Sequence, residues 1–368
     1  MNQNIFIPRK SRDFILVMLP DEFPAEYIIE AIDSMAPTDL KGKGFGSPKP
    51  KVILFDIGGV CVSQHHNFTP SYTSLLNFHP SLQDIAETKT NTIQVVSPFQ
   101  SILNYELRHS IPPGWINHSI SRSAPHGFWH RLETGSIPMD ASFFAGFTRD
   151  LHNQSLWESF YRSQQAANPS HFPPPGSPVP PIPQIDGEWL FHDMMEHARS
   201  PDPWMFPTLK KLKEDGRFVV AALSNTVIWP EGHKWAEKDF FSDPLRQLFD
   251  VFVSSAHVGL RKPDPRIYQL ALEKVDEFAR ANADSERGKR GGWGEGVRAE
   301  DVVFLDDIGE NLKAAKKTGF RTIKVGLGKA FEAVDELEGV TGLKLAGDHP
   351  RIAVKPDYSA GKEAKAKL

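Results

Sequence analysis

The run Lys51-Val52-Ile53-Leu54-Phe55-Asp56-Ile57-Gly58-Gly59-Val60 constrains the fold of this chain more than any other segment. An unbroken apolar stretch ends in one carboxylate and then a pair of glycines. Strands buried on both faces read as continuous apolar runs rather than as alternations, so the segment predicts a central strand of a parallel sheet. Open sheets of that kind hold ligands beyond the carboxyl ends of their strands, which is where Asp56 stands.

The second half of the chain repeats the signal. Apolar strands are predicted over 218–223, 249–253, 302–305 and 321–325, with helices ending near Lys213 and spanning 267–278 and 311–318. Strand and helix in alternation imply a mostly parallel sheet with helices on both faces, a Rossmann-like three-layer α/β core. Residues 67–204 have a different texture, rich in aromatics, with helical spacing at Leu103, Tyr105 and Leu107, at Phe128, Trp129 and Leu132, and at Phe143, Phe147 and Leu151. They read as an all-helical cap inserted after the first core strand. Within the cap, residues 168–185 hold many of the chain's 30 prolines and read as a surface loop. The expected organisation is a flexible leader over 1–48, with a short helix near 25–35, a core over 49–66 and 205–345, and a Lys/Ala-rich tail over 346–368. The glycine-rich stretch 282–300 reads as a mobile loop within the core.

Composition narrows the function classes. A net charge of −4 gives no basic field for nucleic acid and no acidic block, so no nucleic-acid partner is expected. One cysteine, Cys61, excludes an internal disulfide framework and suits a reducing compartment. No segment is long enough to cross a bilayer, and the apolar run 14–19 is too short for a secretion signal, so no membrane partner and a cytoplasmic location are expected. Nothing in the sequence addresses the oligomeric state.

Four segments carry candidate chemistry. Asp56 at a strand end suits a covalent nucleophile, although a lone Asp there is more often a cap. Asp306 and Asp307 follow a strand directly; adjacent carboxylates repel unless a cation shares them, and a hard divalent ion such as magnesium suits oxygen ligands. One of the two can also cap the following helix. Ser224 and Asn225, at a strand-to-helix turn, suit a phosphate oxygen site or an ordinary N-cap. Lys262, stiffened by Pro263 and Pro265, would screen Asp56 and an anionic substrate, with Arg261 beside it read as solvated. Arg108, His126, Trp129 and His130 are candidates for the mouth of the site or for the core of the cap.

The segments Phe55 to Val60, Leu223 to Asn225, Arg261 to Tyr268 and Phe304 to Leu312 resemble, in order, the four motifs of the haloacid dehalogenase-like (HAD) hydrolases. The branch resembled contains the N-terminal phosphatase-like domain of soluble epoxide hydrolases, and Leu132-Glu133-Thr134-Gly135-Ser136-Ile137 resembles a cap segment of that branch. The resemblance implies Asp56 as nucleophile and metal ligand, the Gly58 carbonyl and Asp307 as metal ligands with Asp306 beside them, and magnesium as cofactor. It implies Ser224, Asn225 and Lys262 as the residues that hold and stabilise the phosphoryl group of a small phosphorylated metabolite. One position departs: Gly58 stands where family phosphatases carry a second Asp as general acid, help worth about 10²–10⁴-fold. Two alternatives therefore stay open, a catalytically impaired ligand-binding member and a haloacid dehalogenase-type hydrolase.

Overall fold

The structure, a computed structural model, describes residues 5–8, 14–17, 49–61, 99–198, 200–236 and 243–360. The chain divides into two compact units, residues 1–47 and 48–368. In the first, β1 (Ile5–Pro8) pairs antiparallel with β2 (Phe14–Val17), so the segment read as a leader contains a strand pair. The helix expected near 25–35 lies outside the described residues, as do 62–98 of the expected core and cap.

The second unit is built on β3 (Val52–Phe55). It then runs through helices α1 (Phe99–Arg108), α2 (Trp115–Arg122), α3 (Phe128–Glu133), α4 (Ala141–Leu151), α5 (Gln154–Ala167) and α6 (Gly187–His197). The α/β alternation follows: α7 (Met205–Asp215), β4 (Val219–Ser224), β5 (Val251–Ser254), α8 (Ser255–Val258) and α9 (Pro265–Ala281). It closes with α10 (Glu286–Gly291), β6 (Val302–Asp306), α11 (Gly309–Thr318), β7 (Arg321–Lys324) and α12 (Ala330–Thr341). The five strands β3 to β7 form one sheet in the order β5-β4-β3-β6-β7, every pair parallel. The first core strand is therefore the middle one, and its register sets Phe55 beside Ala222 and Leu305.

Each central strand buries alternate residues on opposite faces, as a period of two requires. Ile53, Phe55, Val220, Ala222, Val303 and Leu305 pack with α7 and α12 on one side. Val52, Leu54, Val219, Ala221, Val302 and Phe304 pack with α9 and α11 on the other. Residues 99–198 have a core of their own in which Trp115, Trp157, Phe143, Phe147 and Phe191 are fully buried; Val227, Trp229 and Trp235, from the segment after β4, complete it. Short polar side chains start these helices: Asp140, Asn153 and Asp186 accept backbone N–H bonds at the heads of α4, α5 and α6. The proline-rich stretch 168–185 contains no helix or strand, because its many prolines lack donors and fix φ.

The stretch 282–300, read as a loop, contains α10, a short 3₁₀ turn and the start of another. Arg287 on α10 donates two bonds to the buried Asp250 carboxylate and a third to the Phe218 carbonyl. Trp293 is fully buried against Phe278 and donates to the Arg217 carbonyl. The Arg287 charge is paired with Asp250, just ahead of β5 and 37 residues away. Residues beyond 345 are likewise fastened: Val354 N–H bonds Gly328, and the Gln100 amide exchanges two hydrogen bonds with the Asp357 backbone. Among the described residues no helix is long and apolar enough to cross a membrane.

Candidate active site

Asp56 leaves the end of β3 and Asp306 the end of β6, its neighbour in the sheet; a backbone bond of 2.8 Å from Asp56 N–H to the Leu305 carbonyl keeps the two strand ends in step. The Lys262 ammonium lies between them, 2.8 Å from Asp56 Oδ2 and 2.7 Å from Asp306 Oδ2. Asp307 completes the set: one oxygen from each of Asp56, Asp306 and Asp307 lies within 4.8 Å of the others. Three carboxylates facing one lysine leave an excess of two negative charges when all are ionised, in a region where Asp56 and Asp306 are buried. An all-oxygen set of that charge fits a hard divalent cation.

The electrostatics follow from burial. Desolvation lifts the Asp56 carboxyl to about 7, against the pull of Lys262, and Asp306 adds to the lift. Asp307 is pushed well above the carboxylate range by desolvation and by the two other aspartates. Burial alone would lower the Lys262 ammonium, but Asp306 and Asp56 outweigh it and hold the pKa above its ordinary value. Asp306 is the most thoroughly fixed of the three. Its oxygens accept from Lys262, from the Ile308 N–H that opens α11, and from the Asn311 amide. Asp306 thus fixes the Ile308 N–H at the head of α11.

Close backbone approach explains the second glycine of the first segment. Gly59 has φ +71°, and a Cβ built there would lie 2.5 Å from Asp307 Oδ2. The Gly58 backbone is buried beside it. Cys61 is buried, donates to the Asp56 carbonyl, and has its thiol pKa raised by burial, which makes it a packed residue.

Ser224 is fully buried at the end of β4. The Asn225 amide spans the Lys262 backbone, accepting from its N–H at 2.8 Å and donating to its carbonyl at 3.2 Å. That side chain, expected on the substrate, is engaged in fixing the lysine loop. Arg261 is not merely solvated: its Nε donates to Glu133 Oε2 at 2.7 Å. Of the candidates for the mouth, Arg108 and His126 are exposed, while Trp129 and His130 are buried. A cleft of about 290 Å³ opens beside Gly59, lined also by Leu103, Glu106, Leu327, Val354 and Tyr358. Asn311, Gly59 and Glu133 are parts of the arrangement whose roles rest on distant partners.

No family model matches the chain. It is 26% identical over 259 residues to acyl-CoA dehydrogenase family member 10 of Mus musculus, covering 70% of this chain and 19% of that protein. It is 25% identical over 240 residues to bifunctional epoxide hydrolase 2 of Sus scrofa, covering 65% of this chain and 35% of that protein. The four segments thus meet at one sheet edge, in a chain related to these proteins. The core is a five-stranded parallel sheet flanked by helices on both faces, the architecture expected from the HAD-like resemblance. Among solved structures the chain is similar to a HAD family enzyme from Bacteroides thetaiotaomicron in complex with magnesium and inorganic phosphate, with a TM-score of 0.40, 16% identity, and 77% of this chain and 98% of that one covered. The acidic cluster follows the middle strand β3 and its neighbour β6. The chain spans about a fifth and about a third of the two curated relatives' lengths.

Proposed function

We propose that this HAD-like chain is a magnesium-dependent hydrolase that cleaves small phosphate monoesters through Asp56. The observation that carries the reading is the convergence of Asp56, Asp306 and Asp307 around the buried Lys262 at the edge of adjacent strands. Asp56, Asp307 and the Gly58 carbonyl are assigned as ligands, with Asp306 beside them because its oxygens already accept from Lys262, Ile308 and Asn311. Magnesium bound there supplies positive charge that neutralises phosphate oxygens.

The chain's own residues divide the work. The Asp56 carboxylate attacks phosphorus; an acyl-phosphate bond forms as the P–O bond to the leaving group breaks, and the leaving alkoxide takes a proton from water. Water then attacks the phosphorus of the acyl-phosphate, which releases inorganic phosphate and restores Asp56. Lys262 favours the ionised form of Asp56 and screens the incoming anion. Ser224 and the Asn225 backbone amide hold the phosphoryl oxygens. Gly58 has no side chain to protonate the leaving group, so aryl phosphates, whose leaving groups need least help, should be the best substrates.

Gly58 also favours one alternative, binding of a phosphorylated ligand without turnover. Phosphate release from an aryl phosphate, with and without magnesium, separates the two. Turnover that needs magnesium and disappears in Asp56→Asn supports the phosphatase. Silence in the wild type with turnover in Gly58→Asp supports the binding reading. Turnover that ignores magnesium overturns the proposal.

A further inference from the structure

We propose that Glu133, on the helical layer, is a positioning residue for Lys262, acting through Arg261. The inference rests on Lys262 serving the site as described above. Three contacts seat the end of α3 on the sheet core. Arg261 Nε donates to Glu133 Oε2 at 2.7 Å, and Ser255 Oγ donates to the Glu133 carbonyl at 2.6 Å. Gly135, at φ +64°, lies so near the core that a Cβ there would meet the Ala256 carbonyl oxygen at 2.2 Å. The carboxylate is 3% exposed and the guanidinium 22%, so this is an ion pair sheltered from water rather than a surface contact.

Arg261 is bonded directly to Lys262, whose side chain is 1% exposed and held by Asp56 and Asp306. Asn225 fixes the Lys262 backbone from one side. Glu133 fixes the preceding residue from the other. A shift of Arg261 therefore has to be absorbed in the backbone that aims the ammonium, and displacements of about 1 Å at such a group cost roughly a hundredfold in rate. His130, one turn back on α3 and buried, is kept neutral because burial and then Arg261 depress its pKa to about 4. Beside this neutral imidazole Glu133 and Arg261 form the sheltered ion pair. Through this pair the seating of the helical layer is felt at the lysine.

Glu133→Gln keeps the shape and removes the charge. The expected result is a kcat for an aryl phosphate reduced about tenfold to a hundredfold with KM changed little, and faster amide hydrogen exchange in the peptide covering residues 259–264. Arg261→Lys, which keeps the charge but loses the planar fork, should move both readouts in the same direction and decides the matter if Glu133→Gln does not fold. Unchanged exchange at 259–264 in a folded variant overturns the proposal. So does faster exchange with an unaltered kcat, which would make the pair a structural tie only. A wild type without turnover would overturn the phosphatase reading instead, and the exchange measurement would still decide whether Glu133 holds the lysine loop.

Discussion

Replacing Lys262 by Met tests the electrostatic account of the site. Its ammonium lies 2.8 Å from Asp56 and 2.7 Å from Asp306 and is 1% exposed. At an effective dielectric of about 20, each contact carries roughly 6 kcal/mol of Coulomb attraction, most of it offset by desolvation. Removing the cation keeps the desolvation of the two carboxylates and adds their mutual repulsion. The net loss should be about 3–5 kcal/mol, the range for breaking a buried pair from one side. For a chain of this size that corresponds to a melting temperature lower by roughly 4–7 °C. Sign matters here. The Lys262 pKa is raised, so its contribution is complete at pH 8 and is lost only on the alkaline side. In the variant, acidification lets Asp56 take up a proton, so the deficit should shrink between pH 8 and pH 5. Calorimetry of wild type and variant in chelator at those two pH values makes the measurement. A melting temperature within about 2 °C of wild type at pH 8, or a deficit that grows on acidification, refutes the reasoning.

Gly59→Ala would force the Asp307 carboxylate away, since the new Cβ falls 2.5 Å from Oδ2 at a φ of +71°. Magnesium affinity measured by titration calorimetry should fall about tenfold or more, and an unchanged affinity would remove Asp307 from the metal site. Glu106, buried beneath the cleft, accepts from the Gly114 and Ile116 N–H groups, and desolvation lifts its carboxyl from 4.5 to about 7. Its folded pKa is raised, so its contribution is present below about pH 4.5 and is lost as pH rises through about 7, a span of roughly 3 kcal/mol. Urea unfolding at intervals from pH 5 to pH 8 should show a slope in wild type that is smaller in Glu106→Gln; parallel profiles contradict the assignment.

Much of the core was legible before any coordinates. Buried parallel strands announce themselves by unbroken apolar runs, and β3, β4 and β6 all do so; β3 and β6 end in Asp56 and Asp306, and β4 ends in Ser224. The helical texture of 99–198 followed from spacing of the same kind. Boundaries moved by a residue or two where a cap decided them, as at Asp264, which starts α9 ahead of Pro265. The stretch 282–300 was misread because glycines and charges look alike in a mobile loop and in a segment whose arginine and tryptophan are claimed by Asp250, Phe218 and Arg217.

The same distinction separates the parts of the site. Asp56, Ser224, Lys262 and the Asp306–Asp307 pair carry their meaning locally, because each ends a strand or stiffens a loop by its immediate neighbours. Arg261 and Asn225 do not. Their partners, Glu133 and the Lys262 backbone, stand 128 and 37 residues away, and a side chain's spare hydrogen-bonding capacity gives no sign of which distant group will use it. Residue order along the chain dictates which groups reach the sheet edge. Which of them neutralise, clamp or position one another is settled by packing, because those contacts exist only after strands and helices far apart in sequence have buried their apolar faces together.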